Sequence, residues 1–239
     1  MFIVAGCPAS GRAWVIKQWV SHLRRSAEHA GVDLMIYTLI PDEDTATACA
    51  VTEACATHAI PLMLEHTQEE PKSEEFQRDW GLPRYEEMAS LRTSMLNAVR
   101  MLEPDLFLSV DSDILLDRNA IASMIEALES NPEYAAMGSK TWLHPSDVTI
   151  TNGATLSRFN TLQRLRAEMV LPAHVLMAIV MMTPNAYWVD YAPDPKGEDI
   201  GWSNKMSEAG LKMGFDGRVA SKHVMSPGDL HKIDFRVGW

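Results

Sequence analysis

Leu106-Phe107-Leu108-Ser109-Val110-Asp111-Ser112-Asp113 is the stretch that decides the fold, because it joins an apolar run to two carboxylates. The run from Leu106 to Val110 has the length and apolar character of a strand that is buried on both faces of a parallel sheet. Asp111 and Asp113 follow at its carboxyl end, which is where open α/β sheets bind ligands. Residues two apart on extended backbone point the same way, so we expect both carboxylates beside one divalent cation, Mn²⁺ or Mg²⁺.

The Asp-x-Asp pattern occurs twice in the chain and is not specific by itself. The fifteen aspartates among 239 residues give about one such tripeptide by chance. The second occurrence, Asp42-Glu43-Asp44, also follows a predicted strand, at Leu34 to Ile40. Position at a strand end therefore does not decide between them, and the choice depends on other residues.

Strand-like runs alternate with helical patterns on both sides of the opening stretch, which is typical of α/β proteins. Predicted strands cover residues 2–7, 34–40, 60–64, 106–110, 135–143 and 177–183, with a short one near 213. Predicted helices include an apolar stripe at 15–27 and the segments 45–58, 83–102, 119–130, 161–169 and 200–209, whereas 145–160 is expected to form a loop. The sequence predicts one α/β domain over residues 1–239, with a mostly parallel central sheet flanked by helices.

Composition limits the classes of function. The formal charge of −11 and the pI of about 5.1 argue against general nucleic-acid binding. Cys7, Cys49 and Cys55 cannot form a closed disulfide framework, so they are expected to be buried or half-buried thiols in a reducing compartment. The longest apolar run, Val175 to Met182, is eight residues long and too short to span a membrane. The chain is predicted to be cytoplasmic, with no integral membrane segment.

Three further polar residues lie well beyond the opening stretch. Gly197-Glu198-Asp199 precedes a predicted helix, and His223 follows 24 residues after Asp199. Asp199 either caps that helix or interacts favourably with its dipole, or it is a general base for a hydroxyl acceptor. His223 is either an ordinary histidine or a ligand to the cation, since neutral imidazole is a common metal ligand.

The order of these motifs resembles the GT-A glycosyltransferases, and it is most similar to their large inverting bacterial family. The resemblance runs from Phe2 to about Met225 and is strongest at the three motifs. It implies that Asp113 is the main metal ligand, that Asp111 contacts the ribose or the metal, and that His223 is the third protein ligand. It also implies that Asp199 deprotonates the acceptor while Glu198 helps to orient it.

The resemblance further implies a set of residues that bind the sugar nucleotide. In such enzymes the first strand ends in a proline-containing loop with an arginine, the second ends in an acidic loop, and the helix before the Asp-x-Asp strand carries an arginine. The expected donor-binding residues are therefore Pro8, Ser10, Arg12, Asp42, Arg92, Asp111 and Ser112. For Arg92 a solvated helix face is an equal alternative, and Trp202 is either an acceptor platform or part of the core.

Other functions stay open at this point. The Gly6–Arg12 loop after the first strand has the setting of a phosphate-binding P-loop of an NTPase or kinase, although Arg12 and Ala13 replace the lysine and the Ser/Thr of that motif. A sugar nucleotidyltransferase is a second alternative, but such enzymes usually begin with a longer glycine-rich loop that carries a lysine, and this chain has no such loop. A non-catalytic, glycan-binding relative of the GT-A enzymes is the third alternative.

The resemblance predicts a metal-dependent glycosyltransferase that uses a nucleoside-diphosphate sugar, with a UDP-sugar as the expected donor. Residues 1–113 would form the nucleotide-sugar-binding half, and 114–239 the acceptor-binding and catalytic half. The acceptor is open among glycans, lipid-linked sugars, proteins and modified nucleobases, with its contacts expected from 142–160 and 187–196. Inversion is expected, although retaining relatives share the fold. The loop 65–81 and the tail after Met225 are expected to act as lids.

Overall fold

A computed structural model describes residues 1–68, 81–144, 147–156, 162–164 and 168–230. The strands are Phe2–Pro8 (β1), Asp33–Pro41 (β2), Leu62–Thr67 (β3), Leu106–Val110 (β4), Ile114–Leu115 (β5), Tyr134–His144 (β6), Asp147–Thr151 (β7), Gly153–Leu156 (β8), Leu162–Arg164 (β9), Val170–Ala173 (β10), Val175–Leu176 (β11), Ile179–Met182 (β12) and Lys212–His223 (β13). The helices are Ala13–Ala30 (α1), Thr45–Thr57 (α2), Leu82–Leu102 (α3), Ala120–Ser130 (α4), Pro184–Tyr187 (α5), Glu198–Glu208 (α6) and Pro227–Leu230 (α7).

The central sheet has the strand order β10-β13-β6-β12-β4-β1-β2-β3. Six of these eight strands run in one direction, whereas β12 and β10 are antiparallel to their neighbours. Strands β5 and β7 attach to β13 and β6, and β11, β8 and β9 form a small second sheet. The predicted α/β architecture with a mostly parallel central sheet is confirmed.

Helices cover both faces of this sheet and form two apolar cores. On one face α1, α2 and α4 pack together, with Trp19 and Met124 fully buried. On the other face α3 and α6 pack together, with Leu96 and Trp202 fully buried. Burying a side chain such as Leu96 stabilises the fold by about 1.5–3 kcal/mol. Trp202 thus lies in the core, with its indole N–H donated to the backbone oxygen of Val189, and it offers no free ring face to an acceptor.

Helix α6 is fixed in place by a close backbone approach. A Cβ atom at Gly201 would lie 1.9 Å from the carbonyl oxygen of Ala192, so only glycine fits between the helix and this preceding segment. The contact sets the position of Glu198 and Asp199 at the start of α6.

Several expectations about local structure were wrong. Residues 145–160 are not a loop throughout, because β7 and β8 occupy 147–151 and 153–156. The helix expected at 161–169 is contradicted by strand β9 at Leu162–Arg164. The strand near 213 extends over twelve residues as β13. Cys49 is exposed, on the outer side of α2, while Cys7 and Cys55 are buried.

Two expectations fall largely outside the described part of the chain. The expected lids include residues 69–80 and 231–239, which lie outside the described residues.

Among the residues that the structure describes, no helix is long and apolar enough to cross a membrane.

Candidate active site

Backbone hydrogen bonds fix the turn that follows β4. The amide of Asp111 donates to the carbonyl of Ala178 at 2.9 Å, and the amide of Ile114 donates back to Asp111 at 3.0 Å. Strand β5 then pairs with the end of β13, with Ile114 opposite His223. The carbonyl of Asp113 also accepts from the Val224 amide at 2.8 Å. These contacts bring Asp113 and His223 together although they are far apart in the sequence.

Asp113 and His223 form the pair in this site that is best suited to hold a cation. His223 Nε2 lies 3.6 Å from one carboxylate oxygen of Asp113, and Arg12 donates to the other oxygen at 2.8 Å. His223 Nδ1 lies 3.1 Å from the backbone oxygen of Trp142; donating there leaves Nε2 for a ligand. Burial lowers the pKa of His223, but hydrogen bonding to Asp113 and the negative charges of Asp113 and Asp111 outweigh it, so the pKa is raised.

The spacing of the Asp113 and His223 donors fits one divalent ion. With ligand bonds of about 2.0–2.2 Å, two donors on the same ion lie roughly 3–4 Å apart, which covers the observed separation. Within the described ranges, no three His, Cys, Asp or Glu side chains converge on one point. The predicted three-residue set is therefore not assembled, because Asp111 is engaged elsewhere. An ion held by two side chains keeps open positions for phosphate oxygens.

Arg92 is the centre of a second, buried group of charges. Its guanidinium donates to Asp111 at 2.8 Å, to Ser109 at 3.0 Å and to Glu198 at 3.3 Å. It also lies 5.6 Å from the ring centroid of Tyr191, within the range of a cation–π contact. Only 6% of the Arg92 side chain is exposed, so the alternative of a solvated helix face is wrong. The arginine joins the strand-end motif to the start of α6.

Asp199 is the second residue of α6 and lies in this charged group. The helix follows Gly197, whose φ of +135° favours glycine, and no side chain caps it. Asp199 therefore does not cap the helix, although its place in the first turn is favourable for the helix dipole. Burial raises the pKa of Asp199 well above its ordinary value; Arg92 lowers it, while Glu198 and Asp111 raise it further. Carboxyl groups with raised pKa values are common among catalytic acids and bases.

The loop after β1 is tied to the start of α2. The Gly11 amide donates to Asp44 at 2.7 Å, the Arg12 amide donates to Thr47 at 3.0 Å, and the Ala9 amide donates to the carbonyl of Leu39 at 2.9 Å. A P-loop presents its amides to phosphates, whereas these three amides already donate within the protein. This geometry argues against the P-loop alternative.

The remaining predicted donor-binding residues lie around the same edge of the sheet. Pro8 and Ser10 are half-buried in the loop after β1, and Ser112 is buried beside Cys7. Asp42 is exposed after β2, with its carboxylate 3.7 Å from His66, and it does not touch the cluster around Asp113.

Sequence reasoning missed three residues that shape the site. Asp44 caps α2 by accepting the Thr47 amide at 3.1 Å, and the spacing Asp44-x-x-Thr47 before a helical run was a readable signal for such a cap. Tyr191 stacks on Trp202 with ring centroids 5.6 Å apart and contacts Arg92. Ser109, on β4, accepts from Arg92. No local pattern marks Tyr191 or Ser109, because their partners are distant in sequence.

Comparison with known proteins gives a likeness of fold. No protein-family model matches the sequence, and no curated protein matches it. Among solved structures, the mannosyltransferase PcManGT from Pyrobaculum calidifontis, in complex with GDP-Man and Mn²⁺, is 13% identical with a TM-score of 0.63, over 99% of this chain and 58% of that one. S. aureus TarS 1-349 in complex with UDP-GlcNAc is 13% identical with a TM-score of 0.61, over 93% and 58%.

Another crystal structure of S. aureus TarS 1-349 is 12% identical with a TM-score of 0.61, over 97% of this chain and 63% of that one. The chain thus spans less than two thirds of the length of each of these structures. At such low identity the likeness concerns the fold. The chain therefore has the GT-A fold that these nucleotide-sugar glycosyltransferases share.

Proposed function

We propose that the chain is a metal-dependent glycosyltransferase that moves a sugar from a nucleoside-diphosphate sugar to an acceptor hydroxyl with inversion. One observation carries the proposal: a pair suited to a cation, Asp113 and His223, and a half-buried carboxyl group with a raised pKa, Asp199, belong to charge clusters joined through the Asp111–Asp113 turn. Glycosyl transfer needs both functions, one for the leaving diphosphate and one for the acceptor proton.

Asp113 and His223 would hold Mn²⁺ or Mg²⁺, and Arg12 would bind the phosphates beside it. The ion, when bound, neutralises the negative charge that develops on the diphosphate. Arg12 already lies at the carboxylate of Asp113, so its guanidinium is close enough to share this charge. Pro8, Ser10 and Ser112 line the adjoining loops and would shape the donor pocket.

Asp199 would act as the general base. In its ionised form the carboxylate takes the proton of the acceptor hydroxyl, whose oxygen forms the new bond to the anomeric carbon while the bond to the diphosphate oxygen breaks. Glu198 and Asp111 are held by Arg92 and are therefore positioning groups for the base and the donor ribose. Arg92 would not face the nucleotide directly; its role would be to hold the two motifs in register.

The donor class and the organisation of the chain follow from the same arrangement. The solved relatives are complexes with GDP-Man and UDP-GlcNAc, so both UDP-sugars and GDP-sugars are candidate donors here. We place donor binding in residues 1–113 and acceptor binding and catalysis in 114–239 of a single domain.

The first test is metal-dependent donor binding. We expect UDP- or GDP-sugars with Mn²⁺ to raise the Tm of the wild-type protein, and EDTA to remove the shift. Asp113→Ala should abolish the shift, whereas Asp33→Ala, an exposed carboxylate at the opposite end of β2, should retain it. No shift with any sugar nucleotide, or an unchanged shift in Asp113→Ala, would contradict the metal assignment.

The second test concerns the base and the stereochemistry. Removing a general base typically lowers turnover by about 10²–10⁴-fold, so Asp199→Asn should show this loss with donor affinity kept. Proton NMR of the first product should show an anomeric configuration opposite to that of the donor. Near-normal turnover in Asp199→Asn together with a retained configuration would replace this mechanism by a retaining one.

A further inference from the structure

A buried lysine on β6 has no role in the site described above. Lys140 is 6% exposed, and its ammonium group lies 5.8 Å from the ring centroid of Trp142, two residues further along the strand. Within the part of the chain that the structure describes, no carboxylate forms an ion pair with Lys140 and no oxygen accepts a hydrogen bond from it. Its three N–H donors have only the aromatic ring beside them.

Such a group is costly to keep inside a protein. An ammonium ion taken from water without a partner loses much of its solvation energy, and a cation–π contact returns only a small part of that loss. A chain with a formal charge of −11 has many carboxylates, yet none in the described ranges forms an ion pair with this cation. We therefore expect a bound ligand to supply the negative charge that the described residues do not provide for Lys140.

Lys140 and Trp142 adjoin the proposed metal pair. The backbone oxygen of Trp142 lies 3.1 Å from His223 Nδ1, and Lys140 lies opposite Ala220 in the pairing of β6 with β13. Both residues lie in the last five positions of β6, towards the sheet edge at which open α/β proteins bind ligands. Gly138, two residues earlier, faces Leu176 and Phe215 of the α3 and α6 core.

We propose that Lys140 and Trp142 form a subsite for an anionic group, a phosphate or a carboxylate, carried by the acceptor. This inference rests on the proposed function, because an acceptor is meaningful only for a transferase. The ammonium would donate to the oxyanion, and the indole would cover one side of the contact and exclude water from it. The substrate class that follows is an acidic acceptor, one that carries a phosphate or a carboxylate group.

The acceptor is favoured over the donor diphosphate for two reasons. The diphosphate would have its own positive groups, since Arg12 contacts Asp113 and any ion held by Asp113 and His223 would lie beside it. Lys140 does not touch that group. A second cation, separated from the first by Trp142, is suited to a second anionic group.

The test measures binding of small acidic probes and of the nucleotide separately. Wild type, Lys140→Met and Lys140→Arg would be titrated calorimetrically with glycerol 3-phosphate, glucuronate and uncharged glycerol, and in parallel with UDP and GDP plus Mn²⁺. We expect the wild type to bind an acidic probe and not glycerol. Lys140→Met should lose about tenfold or more of that affinity, whereas Lys140→Arg should keep most of it. Nucleotide affinity should stay within about twofold in all three proteins.

The outcomes separate this inference from the proposed function. Equal loss of nucleotide and probe affinity in Lys140→Met would assign Lys140 to the donor and overturn the acceptor subsite. Unchanged probe affinity, or no probe binding by the wild type, would also overturn it. If the acidic probes bind through Lys140 but no nucleotide binds, the proposed function fails while the anion subsite remains without its role in transfer. A melting curve for each variant shows that loss of binding is not loss of folding.

Discussion

The two Asp-x-Asp tripeptides differ in what the chain does immediately after them. Asp42-Glu43-Asp44 follows β2 and runs straight into α2. The Asp44 carboxylate is buried and accepts hydrogen bonds from the amides of Thr47 and Gly11. Asp111-Ser112-Asp113 follows β4 and runs into a turn and the two-residue strand β5. That turn delivers Asp113 to His223 and leaves Asp111 to Arg92.

The comparison teaches that a motif at a strand end acquires its role from the next element. A helix that starts at once has unsatisfied amides, and a carboxylate at its first position is used to cap them. A turn followed by a short strand has no such row of unsatisfied amides, so the carboxylates in the turn are available to pair with charged side chains. The predicted role of Asp42 in binding the donor depends on the first tripeptide being more than a cap, and the expected effects below bear on that difference.

The largest effect is expected at the charge centre beside the second tripeptide. Arg92→Met leaves Glu198 buried and Asp111 half-buried without their partner, so the free energy of unfolding should fall by about 3 kcal/mol. Chemical denaturation at neutral pH measures this. Arg24→Met, which breaks an exposed pair with Glu28, is the matched control and should cost less than about 1 kcal/mol. Equal losses in the two variants would mean that the buried group is no more important than a surface pair.

The next effect concerns the cap in the first tripeptide. Asp44→Ala removes the side-chain acceptor of Thr47 and Gly11, so stability should fall by about 1–2 kcal/mol. Metal-dependent nucleotide binding, measured by calorimetry in the same protein, should persist with weaker affinity at most, because Asp44 does not contact the Asp113 pair. If Asp44→Ala folded normally and lost metal binding altogether, the two tripeptides would have been assigned the wrong way round.

A third effect has the opposite sign and depends on pH. The native pKa of Asp199 is raised above its ordinary value of 3.8, so between these two pKa values the native state binds a proton that the unfolded state does not. Stability therefore decreases as pH rises through this window. Asp199→Asn removes the penalty, and its Tm should exceed that of wild type increasingly from pH 4 upward. A constant Tm difference at all pH values would contradict the raised pKa.

The smallest effect is expected at Asp42. Its carboxylate is more than half exposed and lies near His66 alone among its charged neighbours in the described structure, so Asp42→Asn should change stability by less than about 0.5 kcal/mol. If Asp42 binds the donor ribose or base, KM for the sugar nucleotide should rise with kcat unchanged. A normal KM would leave the first tripeptide with the capping role of Asp44 alone.

The regular parts of the fold followed from local patterns. The apolar run of β4 and the helix that starts near Pro83 were predicted within one or two residues, because burial on both faces and proline at a helix start are local signals. The segment 147–156 was missed although Val148-Thr149-Ile150-Thr151 is rich in β-branched residues and Asn152-Gly153 is a typical turn. Those residues indicate that strands form. They do not indicate that β7 pairs with β6 or that β8 pairs with β11.

The site was only partly predictable, since its contacts join distant residues. Asp113 and His223 were chosen as partners because of a family resemblance, and periodicity does not reveal that β5 pairs with β13. The solvated-face alternative for Arg92 was wrong, and its burial had no local signal, because its partners Asp111 and Glu198 lie 19 and 106 residues away. Lys140 had no signal at all, since a lysine within an apolar strand is recognised as buried only when the neighbouring strands are known.

The separation of Asp113 from His223 has a consequence for the order in which the molecule forms during synthesis. Strands β1 to β4 are complete once residue 110 has been made, and Arg12 is then already available to pair with Asp113. At a synthesis rate of about 5–20 residues per second, His223 follows roughly 5–20 s later. We expect the growing chain to hold Asp113 through Arg12 alone during this interval, so that the cation site becomes competent only after β13 has joined the sheet.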